Sequence, residues 1–332
     1  MSEVQQLKPK DFKSDQEVRW CPGCGDYAIL NIVQKSMAGM GVKKENTVFV
    51  SGIGCSSRFP YYMDTYGIHS IHGRAPAVAT GVKVANPELD VWVITGDGDG
   101  LSIGGNHMIH SLRRNVNMKI ILFNNEIYGL TKGQYSPTSP QGLKTKTSPF
   151  GSVDAPFNPI QLALGAGATF VARTIDNNPK HMKQTLEIAA GHKGAAFVEV
   201  WQNCVIFNED CFKDWSDKSV RDEKTINLEA GEPMIYGENR DKGLRMDGWE
   251  LVRCTADEAS IWDPTVESLA PAFLMSQLDK DPDMPRPMGV LRQVEAPTLD
   301  DLIHDQVNEV TSTRGAGDIK DLIYTPDVWE IK

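Results

Sequence analysis

The sequence predicts an α/β fold: a mostly parallel sheet with helices on both faces. Three observations lead there. Strand-like and helix-like segments alternate over roughly 180 residues, the pattern of repeated βαβ units. The strand-like segments are short, apolar and rich in β-branched residues, as strands buried on both faces are. Three of them run into turns of glycine or asparagine (SGIGCSS, TGDGDG and FNNEIYG), and ligands of such sheets bind beyond the carboxyl ends of the strands.

Residues 25–40 carry Tyr27, Leu30, Val33, Met37 and Met40 at helical spacing, with Gly41 as a stop. Residues 47–50 read as a buried strand entering SGIGCSS, and Pro76 opens a helix over 76–86. Residues 90–95 (DVWVIT) form a strand ending at GDGDG; a helix over 101–114 and a strand over 118–123 follow, the latter stopping at Asn124-Asn125. Residues 131–150 hold too much Pro, Ser, Thr and Gly for a regular element, and a loop that long inside a domain reads as a functional lid. A helix over 158–166, a strand over 168–175, a helix over 178–191 and a strand over 195–201 complete the alternation. Residues 1–225 make up this first domain. Residues 226–332 read as an irregular acidic extension, with short helices at 255–261, 264–277 and 298–310, expected to be a subunit-interaction arm.

With 332 residues, 40% hydrophobic and 23% charged, the chain can bury a sizeable core. No apolar run approaches the roughly eighteen residues of a spanning helix. The amino-terminal MSEVQQLKPKDFKSDQ lacks the apolar stretch of a secretory signal. A cytoplasmic protein with no membrane partner is therefore expected. The net charge of −10 is uneven: residues 1–200 hold 20 basic and 16 acidic side chains, residues 201–332 hold 14 and 28. An acidic chain without a basic run excludes nucleic acid as a partner. The acidic last third is either a solvated surface or a face for a basic partner subunit.

The TGDGDG turn carries the first chemistry. Glycines after a buried strand let backbone approach a diphosphate at the start of the next helix. Asp97 beside such a site calls for a cation, and Mg²⁺ suits one carboxylate, one amide oxygen and phosphate oxygens. The amide lies at the end of the next strand, in Asn124-Asn125. Gly96-Asp97-Gly98, twenty-five residues, then Asn124-Asn125 resembles the thiamine diphosphate fingerprint. The resemblance implies that Asp97, Asn125 and the carbonyl of Ile127 hold the metal. The overlapping Gly98-Asp99-Gly100 gives a spacing two residues shorter and stands farther from the strand end.

Cys21-Pro22-Gly23-Cys24 has three readings: zinc, a redox pair or an iron–sulfur cluster. A redox pair wants a strand directly before it, and EVRW is a weak one. Zinc wants two more ligands at compact spacing. Cys55 and Cys204 instead lie at strand ends, so four thiolates from three loops could enclose a [4Fe–4S] cluster. His107 and His110, one helical turn apart, lack a third ligand and read as ordinary helix residues. Cys254 reads as a buried structural cysteine.

WCPGCG, GIGCS, HGRA, GDGD, NNEIYGLTKGQ and the late Cys204 together resemble the beta subunits of the 2-oxoacid:ferredoxin oxidoreductases, over about residues 15–210. IYGLTKGQYSPTS is closest to the 2-oxoglutarate enzymes. The resemblance implies the thiamine diphosphate-binding fold and thiamine diphosphate, Mg²⁺ and one [4Fe–4S] cluster as cofactors. It also implies cluster ligands Cys21, Cys24, Cys55 and Cys204; Cys204 is preferred to Cys211 because Phe207-Asn208 follows it. Implied cofactor contacts are Ile53, Gly54, Cys55, Ser56, His72, Gly73 and Arg74, with Gly96, Asp97, Gly98, Asp99, Asn125, Ile127, Gly129 and Leu130. The implied reaction takes 2-oxoglutarate and coenzyme A to succinyl-CoA and CO₂, reduces ferredoxin, and could run in reverse.

A dicarboxylate substrate calls for cations, and Lys132 and Arg58 are the candidates. No second βαβ array is found, and the resemblance implies a separate alpha subunit that carries the pyrimidine-binding domain, giving a heterodimeric unit. Alternatives are the same chemistry on pyruvate, a non-oxidative thiamine decarboxylase or carboligase with structural zinc, and a non-catalytic electron-transfer subunit.

Overall fold

Alternating strands and helices form as expected through residue 201 in a computed structural model, which describes residues 7–324 together with 327, 329 and 331. In chain order the elements begin with α1 (Asp26–Met40), β1 (Thr47–Ser51), β2 (Tyr66–His69), α2 (Ala75–Ala85), β3 (Asp90–Gly96), α3 (Gly105–Arg113) and β4 (Lys119–Asn124). A two-residue hairpin follows, β5 (Ile127–Tyr128) and β6 (Gln134–Tyr135), then α4 (Pro159–Gly165), β7 (Phe170–Ile175), α5 (Pro179–Gly191) and β8 (Ala196–Trp201). The rest comprises α6 (Lys213–Ser216), α7 (Arg221–Lys224), β9 (Thr225–Leu228), β10 (Ile235–Tyr236), β11 (Lys242–Asp247) and β12 (Glu250–Thr255). It ends with α8 (Ala270–Gln277), β13 (Arg286–Gln293), α9 (Leu299–Arg314) and α10 (Ile319–Ile323).

The main sheet has the order β2-β1-β3-β4-β8-β7-β13-β9, and all its pairs are parallel except β7 with β13. Successive side chains of a strand point to opposite faces. Val48, Val50, Val91, Val93, Ile120 and Leu122 accordingly pack with α2, α3, α4 and α8. Phe49, Trp92, Ile94, Ile121 and Phe123 pack with α1 and α5 on the other side. Each such buried side chain contributes roughly 1.5–3 kcal/mol. Helix ends follow local chemistry. Gly41 takes the left-handed conformation (φ 67°) that stops α1, and Asn158 and Asn178 cap α4 and α5 through their side chains.

Three expectations need correction. The helix placed at 101–114 begins as a π-turn over Asp99–Ile103, and only Gly105–Arg113 is α-helical. Residues 226–332 are not an irregular extension throughout. β9 and β13 are strands of the main sheet, and β10, β11 and β12 form an antiparallel sheet whose Leu244 and Tyr236 join the core. Charge masked this region: acidic turns surround short strands, so neither period stands out. Of its expected helices, 255–261 shrinks to a single turn (Ala256–Glu258), and 264–277 and 298–310 become α8 and α9. Lastly, Cys254 is half-buried on β12 rather than part of the core.

A buried ion-pair cluster clamps this C-terminal part to the sheet. Arg173 on β7 donates to Glu199 on β8 at 2.7 Å and, through both terminal nitrogens, to Asp279 at 2.8 and 2.7 Å. Among the described residues no helix is long and apolar enough to cross a membrane.

Candidate active site

The chain runs from β1 outward to β2, then back across to β3 on the other side of β1. Neighbouring strands whose onward connections leave in opposite directions open a crevice at their carboxyl ends. A cavity of about 500 Å³ lies there, walled by Ile53–Ser56 after β1, Gly96–Asp99 after β3, and Asn125 and Ile127–Thr131 after β4. His72 also lines it. Every implied cofactor contact reaches this cavity except Gly73 and Arg74.

Asp97 is 2% exposed, and its Oδ2 accepts from Ser136 Oγ at 2.5 Å and Thr138 Oγ1 at 2.7 Å. Burial raises its carboxyl to about 6, against the pull of those two hydroxyls. Asn125 Oδ1 accepts from Ile127 N–H at 3.2 Å, which folds the turn and sets the amide and the Ile127 backbone beside Asp97 in the cavity wall. A desolvated carboxylate, an amide oxygen and a carbonyl are hard donors that fit a divalent cation. Gly98 is required here: a Cβ would stand 2.2 Å from the Tyr128 ring, whose hydroxyl donates to the Gly98 carbonyl at 3.0 Å.

Asp99 has a different place. Its Oδ1 accepts from the backbone N–H of Ile53 (3.0 Å) and of Gly73 (2.7 Å) and from His72 Nδ1 (2.7 Å), and its Oδ2 from Thr95 Oγ1 (2.6 Å). One carboxylate thus ties the turns after β1, β2 and β3 together. Gly52 permits this, because a Cβ there would stand 1.9 Å from Asp99 Oδ2.

Two of the thiols, Cys55 and Cys204, approach the cavity at Gly129. A Cβ on Gly129 would lie 3.5 Å from Cys204 Sγ and 3.7 Å from Cys55 Sγ, so glycine keeps this wall thin. Burial, then Asp26 and the neighbouring Cys204 and Cys21, push the Cys55 thiol up to about 12. Burial and Asp26, with Cys204 and Cys55, lift Cys24 well above the ordinary thiol range. Cys55 thus feels Cys21 and Cys204, and Cys24 feels Cys55 and Cys204, which places the four thiols in one neighbourhood. Among the described residues no three His, Cys, Asp or Glu side chains converge as a single-ion site requires. Four thiols carried on three loops are the donor set that a cuboidal cluster takes. Cys211 is also near enough to Cys204 to feel its charge, and its Sγ lies 3.8 Å from the Asn125 carbonyl.

Arg74 is exposed and touches His107 rather than the cavity. Lys132 is exposed with a left-handed backbone (φ 76°) at the β5–β6 turn, outside the wall. Arg58 lines a second cavity of about 520 Å³ that shares Ile53, Gly54 and Leu130 with the first, and its Nε donates to Tyr62 Oη at 3.1 Å. Sequence reasoning missed Ser136, Thr138 and Ser139. The stretch read as a lid is docked at its start: Ser139 Oγ donates to the Glu126 carbonyl and Thr138 Oγ1 lies 2.9 Å from Asn124 Oδ1. No local signal marked them, since Ser136 and Thr138 stand 39 and 41 residues after Asp97.

A family model described as thiamine pyrophosphate enzyme, C-terminal TPP binding domain, matches residues 52–200. A 2-oxoacid:ferredoxin oxidoreductase subunit beta from a Sulfolobus species is 47% identical over 60% of this chain and 67% of that one. The 2-oxoglutarate oxidoreductase subunit KorB of Mycobacterium tuberculosis is 50% identical over 98% of this chain and 89% of its own length. The chain belongs to the beta subunits of the 2-oxoacid:ferredoxin oxidoreductases. In fold, this beta subunit is similar to a solved 2-oxoglutarate:ferredoxin oxidoreductase from Magnetococcus marinus with 2-oxoglutarate, coenzyme A and succinyl-CoA bound. The TM-score is 0.75 at 38% identity, over 97% of this chain and 96% of that one.

Proposed function

We propose that this beta subunit, with a separate alpha subunit, oxidatively decarboxylates 2-oxoglutarate with coenzyme A to succinyl-CoA and CO₂. Two electrons per turnover pass to ferredoxin through one [4Fe–4S] cluster, and the reaction could be run in reverse. The observation that carries the reading is a single cavity with Asp97 and Asn125 on one wall and the Cys55 and Cys204 sulfurs against Gly129 on another. A diphosphate-and-metal site and an electron acceptor are then neighbours.

In this reading Asp97, Asn125 Oδ1 and the Ile127 carbonyl hold Mg²⁺, and Gly96 and Gly98 let backbone approach the diphosphate. Ile53, Gly54, Ser56 and His72 complete its cradle, Gly73 and Asp99 fix the cradle's shape, and Cys21, Cys24, Cys55 and Cys204 hold the cluster. Thiamine diphosphate, once bound, supplies the electron sink for loss of CO₂ and the cluster takes electrons one at a time. Ile127 and Leu130 make the wall apolar and keep water from the reacting carbon. Arg58, from the adjoining cavity, and Lys132, from the exposed β5–β6 turn, pair with the substrate's two carboxylates. Ile71, Ile103 and Leu130 are at least half exposed around the mouth, an apolar rim for the alpha subunit's pyrimidine-binding domain to cover. The exposed apolar side chains of α9 and α10, among them Val307 and Leu322, are the part of the acidic arm that would clasp it.

The test uses the chain co-produced anaerobically with its alpha subunit. Coenzyme A-dependent reduction of ferredoxin is followed with 2-oxoglutarate and with pyruvate. Reduction by 2-oxoglutarate, with a raised KM in Arg58→Ala and Lys132→Ala, is expected. Reduction by pyruvate alone discards the dicarboxylate pocket, and a preparation without iron and acid-labile sulfide discards the cluster.

A further inference from the structure

Gln202, the first residue after β8, is a polar side chain only 1% exposed. Its backbone N–H donates to the Asn124 carbonyl at 2.8 Å, which fixes the residue against the end of β4. Its amide is satisfied in one orientation. Oε1 accepts from Asn125 Nδ2 at 2.7 Å, while Nε2 donates to Cys24 Sγ at 3.3 Å and to the Asn203 carbonyl. Turned over, the amide would set oxygen against oxygen at Asn203 and nitrogen against nitrogen at Asn125, so the neighbours select the observed orientation.

These bonds join two sites that the sequence places far apart. With Nδ2 of Asn125 engaged by Gln202, that amide cannot turn over, and its Oδ1 stays in the Ile127 turn where a metal needs an oxygen donor. At the other end, an N–H aimed at a cysteine sulfur draws charge from the thiolate. Such bonds favour the reduced state of an iron–sulfur cluster. Groups that orient a metal's ligands affect its affinity nearly as strongly as the ligands themselves.

We propose that Gln202 is a positioning residue that links the two centres, holding Asn125 oxygen-first toward the metal and raising the reduction potential of the cluster through Cys24. The inference rests on the reading of Asn125 as a metal ligand and Cys24 as a cluster ligand.

Two variants separate the two arms. Gln202→Glu keeps an acceptor for Asn125 but has no N–H for Cys24, and Gln202→Leu keeps neither. In the anaerobic complex with the alpha subunit, the cluster potential is read by an EPR-monitored redox titration. The Mg²⁺ requirement is read as the Mg²⁺ concentration that half-saturates thiamine diphosphate binding. Gln202→Glu should lower the potential without raising the Mg²⁺ requirement. Gln202→Leu should lower the potential and raise the Mg²⁺ requirement about 10–100-fold. A wild-type potential in Gln202→Glu overturns the proposal, and this holds even where Gln202→Leu fails to assemble. A wild-type Mg²⁺ requirement in an assembled Gln202→Leu overturns it as well. A parent complex that lacks iron, or binds thiamine diphosphate without Mg²⁺, brings down the underlying reading instead.

Discussion

At the scale of single residues, the site is defined by which polar atoms are already spoken for. Both Asp97 and Asp99 are buried beyond β3, yet Asp99 ties three turns together while Asp97 accepts from two hydroxyls of the docked SPTS segment and from backbone N–H groups of its own turn. Those hydroxyls hold the carboxylate in place and favour its charged form. Ser136→Ala with Thr138→Val should therefore raise the Mg²⁺ needed for thiamine diphosphate binding about 10–100-fold. The loss should grow as pH falls, because a carboxyl stripped of donors holds its proton more tightly; Mg²⁺ titrations at two pH values measure it. Asp97 was legible in the sequence from the strand, glycine and asparagine around it. Its partners were not, since Ser136 and Thr138 lie some forty residues on, in a stretch whose composition announces only irregular backbone.

At the scale of elements, periodicity made the parallel strands and their helices legible, because each buries a long apolar face. β9 and β13 escaped notice. β13 carries Pro287 and Gly289 and two arginines, and its place is fixed by pairing with β7 and by the Arg173–Asp279 contact, neither of which is local. At the opposite end of the sheet, a buried lysine at the start of β4 meets a buried neutral histidine that precedes β8. Lys119 Nζ donates to the His192 carbonyl at 2.9 Å, and His192 Nε2 lies 2.8 Å from Thr169 Oγ1. Burial, with Lys119 adding to it, lowers His192 to about 4. A histidine lowered on folding contributes stability that is full above its unfolded value near 6.5 and is lost as pH falls toward 4. His192→Gln should flatten the fall in Tm between pH 6.5 and 4, a difference of order 2–3 kcal/mol at most; thermal melts across that window would reveal its absence.

At the scale of the whole molecule, the boundary between fold and arm belongs well after residue 225. A chain stopped at 225 loses β13, with its buried Val290 and Leu291, and the Asp279 partner of Arg173. It should not yield soluble protein, since the flank of β7 is uncovered and Arg173 keeps only Glu199 of its two carboxylates; removing one partner from a buried ion pair costs about 3–5 kcal/mol. A chain stopped after 315 keeps every strand, and its Tm should fall by no more than about 2–4 °C, while its affinity for the alpha subunit drops. Calorimetry and co-purification distinguish the two roles. The late arrival of β13 also sets a timetable. While the chain is being made, the outer edge of β7 has no strand to pair with until residue 293 has left the ribosome. Its unpaired backbone and apolar flank then stand open to other nascent chains. Slowing translation between β7 and β13 lengthens that exposure and should therefore lower the soluble yield.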